Sequence, residues 1–169
     1  AMLASLQTLG IKCEEEEDAF VVFGDLSDVI DQEYTINIRL SGRAARTLLG
    51  ILCIVPGTKT LTCSDPFKKR PMKDLVEGLR QLGAKIEYLE DDGHLPVKIT
   101  SSKLQTGHVS MEGTMSSQYF STLMMIAPMI GEVSIDVLGE QASKPFIDIT
   151  IEAMQRFGIT VFNNNYQSY

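Results

Sequence analysis

Four short stretches of this chain gather groups that bind anions: Ser41-Gly42-Arg43-Ala44-Ala45-Arg46, Lys68-Lys69-Arg70-Pro71, Thr114-Met115-Ser116-Ser117-Gln118 and Ser143-Lys144-Pro145-Phe146. Guanidinium forks bind phosphate or carboxylate bidentately, and serines at a helix N-terminus add hydroxyls to a row of unpaired N–H groups carrying about half a positive charge. Ser116-Ser117-Gln118 opens one predicted helix and reads as such a cradle. Arg43 and Arg46 open another, where cations are disfavoured by several tenths of a kcal/mol each unless an anion offsets them. Their spacing of three predicts that both lie on roughly one helical face. The chemistry these residues suit is recognition of small phosphorylated or carboxylated molecules.

Other chemistries are poorly provided for. Cys13, Cys53 and Cys63 are odd in number and form no CxxC pair, so neither a disulfide framework nor a zinc knuckle is indicated, and a reducing cytoplasm fits. His94 and His108 stand beside turn glycines and read as surface residues, not metal ligands. The longest mostly apolar run, Leu123 to Ile130, is far below the roughly 20 residues a bilayer span needs, and no basic segment opens the chain. A soluble chain without an export signal is the expectation.

Charge is segregated within a net formal charge of -7. Residues 1 to 38 hold nine acids against Lys12, whereas Arg39 to Lys73 hold eight cations (Arg39, Arg43, Arg46, Lys59, Lys68, Lys69, Arg70, Lys73) against Asp65. The second segment predicts an anion-attracting surface on an acidic molecule.

The elements that must position these groups follow from an internal repeat. MLASLQTLGIKCEEEEDAFVVF, LVEGLRQLGAKIEYLEDDGHLPVKI and TIEAMQRFGITVFNNNYQSY align on Gly10, Gly83 and Gly158, which are 73 and 75 residues apart. Seven, four and one residues before each glycine stand Leu3, Leu6 and Leu9, then Val76, Leu79 and Leu82, then Ile151, Met154 and Phe157. This is a helical stripe ending in a left-handed C′ glycine, followed by a strand and a polar turn. The acidic run Glu14 to Asp18 is then a hairpin tip.

The second and third copies are preceded by a further helix, RAARTLLGILCI or SQYFSTLMMIAPM, apolar nearly all round and so predicted to be buried. A strand follows each, KTLTC or VSIDV, and then a loop ending in Arg70-Pro71 or Lys144-Pro145. Pro71 reads as the first residue of its helix. The division is 1–37 (end of unit one), 38–105 (unit two) and 106–169 (most of unit three). The first unit lacks its opening strand and buried helix, and the expectation is most of one lobe of a larger, two-lobed protein. Buried helices belong inside and sheets outside. The anion-binding stretches occupy corresponding ends of related units, so pseudo-symmetry would bring them round one rim.

The segments LTCSDPFKKRPMKDLVEGLRQLGAKIEYL, TMSSQYFSTLMMIAP and ASKPFIDITIEAMQRFGI resemble the N-terminal lobe of the 5-enolpyruvylshikimate-3-phosphate (EPSP) synthase family. The resemblance runs nearly end to end. It implies an α/β (α+β) fold, an inside-out lobe of repeated βαβαββ units. It also implies transfer of the enolpyruvyl group of phosphoenolpyruvate to the 5-hydroxyl of shikimate 3-phosphate, a transferase step of the shikimate pathway towards chorismate and the aromatic amino acids.

Carried over by position, Ser116, Ser117, Gln118 and Ser143 would bind shikimate 3-phosphate. Gly42, Arg46, Arg70 and Gln118 would face phosphoenolpyruvate. The resemblance implies no metal or cofactor and no nucleic-acid or membrane partner. The acid–base groups and several cations would lie in a second lobe, so no catalytic residue is expected among these 169 and the chain alone is expected to be an inactive binding half-site.

Some positions depart from the family pattern. Leu40 stands for Asn, Arg43 for Thr, Thr47 for the Pro of many members, and Phe146 for a Tyr. Leu40 and Arg43 keep open a non-catalytic descendant that binds anions or a protein partner. UDP-N-acetylglucosamine enolpyruvyl transferase would need a cysteine five residues before Arg70, where Asp65 stands, and has no Ser-Ser-Gln cradle. The RNA 3′-phosphate cyclase group uses similar repeats, but a net acidic chain makes a poor nucleic-acid groove.

Overall fold

The computed structural model describes residues 1–169. Each repeated glycine stops a helix as its backbone freedom allows: φ is +89° at Gly10, +93° at Gly83 and +79° at Gly158. The helices they end are α1 (Met2–Thr8), α4 (Lys73–Gln81) and α6 (Lys144–Arg156). The hairpin β1 (Lys12–Glu15) and β2 (Phe20–Phe23) follows the first; Glu16, Glu17 and Asp18 lie at its tip, whereas Glu14 and Glu15, expected there too, are paired within the hairpin as part of β1. The hairpin β5 (Lys85–Tyr88) and β6 (Val97–Thr100) follows the second.

The second unit is the most complete. β3 (Glu33–Asn37) runs parallel to β4 (Thr58–Thr62), across α2 (Gly42–Ile54), and β6 closes against β4 antiparallel to give the order β3-β4-β6-β5. The sheet thus draws in residues 33–37, which the sequence division leaves with the first unit. Alternate side chains along these strands are buried and exposed, so one face meets helices and the other meets solvent.

In the third unit β7 (Gly107–Glu112) runs parallel to β8 (Val133–Leu138) across α5 (Ser117–Ile130). The strand expected directly after Gly158 does not form. Residues 163–168 turn back instead, and Tyr169 and Ile135 exchange both backbone hydrogen bonds, at 2.8 and 2.9 Å. The last residues therefore lie antiparallel to β8, where β6 lies against β4 in the second unit.

The two inner helices cross at Gly50, where an added Cβ would stand 2.5 Å from Thr122 Cγ2. Leu48, Leu49 and Leu52 of α2 and Phe120, Leu123 and Ile126 of α5 fill the space between the layers. Burial of α5 is incomplete: Met125, Pro128 and Met129 are exposed on its second half, because within these residues no element covers that side.

Two local expectations are corrected. Pro71 precedes Met72, the N-cap of α4, and so lies outside that helix. A short helix, α3 (Asp65–Lys68), occupies the loop before it, with Ser64 as N-cap and Pro66 in its first turn. Ser-Asp-Pro is a helix-start signature in its own right, and it carries Phe67 into the core.

Candidate anion-binding site

Gly42 is the vertex of the site. It opens α2 directly after the N-cap Ser41, whose Oγ accepts a hydrogen bond from the Ala44 N–H at 3.4 Å. A Cβ placed on Gly42 would stand 3.1 Å from Nη1 of Arg46, 3.3 Å from Nη1 of Arg70 and 3.4 Å from Cε2 of Phe67. Two guanidinium tips therefore approach one point at a helix N-terminus. None of the chain's lysine and arginine salt bridges involves either of them. Like charges this close repel, and an anion between them reverses the sign of the interaction.

Arg46 turns inward and Arg43 does not. Arg46 Nη1 donates to Gln118 Oε1 at 2.7 Å, and its guanidinium lies 5.6 Å from the Tyr119 ring centroid. Its Nε is buried without a partner. The bond to Oε1 assigns the amide orientation of Gln118 and leaves both Nε2 hydrogens for another acceptor. Arg43, expected on roughly the same face, stays exposed because only Arg46 meets the start of α5.

Arg70 is held by its surroundings and not by a carboxylate. Its guanidinium lies 5.2 Å from the Phe67 ring centroid, and its backbone N–H donates to the Phe67 carbonyl at 2.9 Å. One residue on, the Pro71 carbonyl accepts a 2.8 Å hydrogen bond from the Tyr119 hydroxyl. Burial pushes the Tyr119 phenol above its ordinary range against the pull of Arg46, so the hydroxyl stays a donor.

Ser116 is the N-cap of α5 and accepts a hydrogen bond from the Gln118 N–H at 3.3 Å; Ser117 behind it is buried. The Ala142 N–H donates to the Gly113 carbonyl at 2.8 Å, which sets the loop carrying Ser143 beside the loop carrying Ser116. Ser143 itself is exposed, sits in the left-handed region at φ +54° and makes no side-chain cap. That conformation costs a non-glycine residue about 1 kcal/mol or more and is concentrated at ligand sites.

The basic segment 39–73 is less of a surface than its composition suggested. Lys59 is completely buried, and its Nζ donates to the carbonyls of Val55 at 2.7 Å and Gly57 at 2.8 Å, at the C-terminal end of α2. Burial pushes this ammonium down to about 8 and the neighbouring Cys53 thiol up to about 12. Lys68 pairs with Glu90 at 2.8 Å and Lys73 with Asp92 at 3.1 Å. Strand alternation at Lys59 and two acids from the β5–β6 turn withdraw three of the eight cations.

A second constellation fails on geometry. His108 Nε2 is 3.1 Å from Asp136 Oδ2 and 3.4 Å from Ser110 Oγ, but both partners share one nitrogen, whereas a nucleophilic relay needs one on each. No group of three or more His, Cys, Asp or Glu gathers as a metal centre. No helix is long and apolar enough to cross a membrane.

Comparison with known proteins decides the family. The family model for EPSP synthase (3-phosphoshikimate 1-carboxyvinyltransferase) matches residues 1–169. This chain belongs to the EPSP synthase family. Curated relatives with the name 3-phosphoshikimate 1-carboxyvinyltransferase include that of Shewanella baltica, 42% identical, and that of Vibrio atlanticus, 40% identical; each alignment covers 99% of this chain and 40% of the relative. The chain thus spans about 40% of the length of these relatives. A solved EPSP synthase from Acinetobacter baumannii superposes with a TM-score of 0.78 over 98% of this chain and 37% of that one, at 22% identity. The EPSP synthase fold, an α/β arrangement with helices inside and sheets outside, is the one observed here.

The structure brings Gly42, Arg46, Arg70 and Gln118 together and places Ser116 and Ser143 on adjoining loops, with Ser117 buried as the first residue of α5. Sequence reasoning missed Tyr119 and Phe67, the two rings beneath the arginines. Their signals were present: Tyr119 directly follows the Ser-Ser-Gln cradle, and Phe67 stands one turn before Arg70.

Proposed function

We propose that this chain forms the binding half-site for enolpyruvyl transfer from phosphoenolpyruvate to the 5-hydroxyl of shikimate 3-phosphate, releasing phosphate. The observation that supports it most is the meeting of Arg46, Arg70 and Gln118 at Gly42, an unneutralised cationic pocket at a helix N-terminus within a chain of net charge -7. Phosphoenolpyruvate carries a phosphate and a carboxylate, and two forks bind two such groups. Ser116 and Ser143 on their neighbouring loops, with Ser117 at the start of α5, then hold the phosphate of shikimate 3-phosphate through hydroxyls and helix N–H groups.

The reaction protonates the methylene carbon of phosphoenolpyruvate while the 5-hydroxyl oxygen bonds to C2. The tetrahedral adduct then loses phosphate as a proton leaves the new methyl group. Two guanidiniums, an amide and a glycine bind and orient but do not exchange protons near neutral pH. Their contribution is to bring the hydroxyl and C2 within reach of each other and to neutralise the departing phosphate. The acid and base belong to a second lobe closing over this one. A cytoplasmic setting accords with three free, buried thiols.

Titration calorimetry with shikimate 3-phosphate tests the reading. The 169-residue chain should bind it, and changing Ser116 and Ser117 together to Ala should weaken binding at least tenfold. Binding unaltered by the double substitution would remove the cradle from the proposal.

A further inference from the structure

Tyr119 lies beneath one arm of the cationic pocket and anchors the turn that carries the other, although neither composition nor the family resemblance assigns it a part. It is 1% exposed, in the first turn of α5 directly after Gln118. Its ring carries the Arg46 guanidinium at 5.6 Å, while its hydroxyl donates to the carbonyl of Pro71 at 2.8 Å, the residue after Arg70. Arg46 belongs to α2 and Arg70 to the turn between α3 and α4, elements that share no strand or helix. Tyr119 is thus a strut between them, anchored in the inner helix that also carries Ser116, Ser117 and Gln118.

The two guanidiniums need such a strut. Neither has a carboxylate to hold it, the Nε of Arg46 has no partner at all, and the two charges repel. The rings of Tyr119 and Phe67, the Gln118 amide and the Pro71 anchor oppose their separation. A pocket set in advance binds more tightly, because fewer rotamers must be ordered when the ligand arrives.

We propose that Tyr119 is the positioning residue that holds Arg46 and Arg70 at their mutual spacing, and so sets affinity for phosphoenolpyruvate without touching it. This rests on the reading of the pocket as the phosphoenolpyruvate side. It also implies that the hydroxyl and the ring have separable duties. The ring places Arg46, and the hydroxyl places the Arg70-Pro71 turn.

The test compares Tyr119→Phe with Tyr119→Leu by NMR of the arginine side-chain N–H groups and of the backbone amides of the 169-residue chain, followed by titration with phosphoenolpyruvate and, separately, shikimate 3-phosphate. Tyr119→Phe keeps the ring and the volume, so it should fold, leave the Arg46 side-chain signal near its original position and shift the amides of Arg70 and Met72. Phosphoenolpyruvate binding should weaken about threefold to tenfold, with shikimate 3-phosphate affinity within about twofold of the original. Tyr119→Leu should in addition move the Arg46 signal, now free of the ring current, and weaken phosphoenolpyruvate binding more than tenfold.

Equal weakening towards both ligands would make Tyr119 a general packing residue and overturn the inference, as would unchanged phosphoenolpyruvate affinity in Tyr119→Phe. If the unaltered chain binds no phosphoenolpyruvate, the assignment of the pocket fails by itself. The strut is then judged on the signals alone, and arginine signals left in place by Tyr119→Leu, or Arg70 and Met72 amides left in place by Tyr119→Phe, would refute it.

Discussion

Replacing Gly42 by Ala should move ligand affinity and stability in opposite directions. Gly42 is the first helical residue of α2 and its φ lies outside the left-handed region, so alanine adopts its conformation without strain. Removing the freedom of a glycine in the unfolded chain stabilises by about 0.4–1 kcal/mol, which for a domain of this size raises Tm by about 1–4 °C. The new methyl group, however, stands 3.1 Å from Arg46 Nη1 and 3.3 Å from Arg70 Nη1, inside ordinary carbon–nitrogen contact. Both tips must retreat by a few tenths of an ångström, away from the point where they converge. A charge-assisted hydrogen bond contributes about 1.5–3 kcal/mol, and losing roughly half of one amounts to about 1 kcal/mol, or fivefold in affinity. Scanning calorimetry should show the higher Tm, and titration with phosphoenolpyruvate the weaker binding. A variant that binds phosphoenolpyruvate as tightly as the original would refute the claim that the two forks meet at this glycine. A fall of several degrees in Tm would show that the backbone there is not free to carry a side chain.

Two further outcomes follow from buried groups. Lys59 should give a rise in stability above about pH 8: its native ammonium titrates near 8 against an ordinary 10.5, so between these values the unfolded chain binds the extra proton and stability increases with pH. From about pH 8 to pH 9 the contribution of Lys59 to the gain is about 1 kcal/mol, read by denaturant unfolding in reductant. Cys53, pushed the other way from 9.0 to about 12, already takes back part of this gain by pH 9 and opposes it more strongly above; the rise should vanish in Lys59→Met, and its persistence there would clear Lys59 of responsibility. At the helix crossing, Gly50→Ala would set a methyl 2.5 Å from Thr122 Cγ2 and 3.3 Å from Ile126 Cγ2. Overpacking of this kind costs about 1–3 kcal/mol, so thermal unfolding should begin at least about 2 °C lower, and an unchanged Tm would contradict the close approach of α2 and α5.

Much of the architecture could be read from local pattern. The stripes ending at Gly10, Gly83 and Gly158 are visible because a 3.6-residue period and a left-handed cap depend only on neighbours in sequence. The buried character of α2 follows in the same way from its composition. Where a helix end draws on neighbours alone, as at Ser41 and Ser116, a serine next to the start of the apolar run caps it. The strand after Gly158 failed for a different reason. Isolated residues such as Ile159 and Val161 form a strand only against a partner, and within these residues β8 instead receives Gln167 to Tyr169.

The sequence by itself determined which groups could bind an anion, since residue type and helix position decide how many donors and how much charge a segment presents. Tertiary structure decided which of them act together. Lys59, Lys68 and Lys73 read as three members of one basic cluster, yet burial took the first and acids from a distant turn took the others. Arg46 and Gln118 are 72 positions apart in the chain and 2.7 Å apart in space, and the ring of Tyr119 lies beneath their contact. Periodicity carries no information about such pairs. Their geometry depends on how two helices from different units cross, and that crossing is set by the close contact of Gly50 with Thr122.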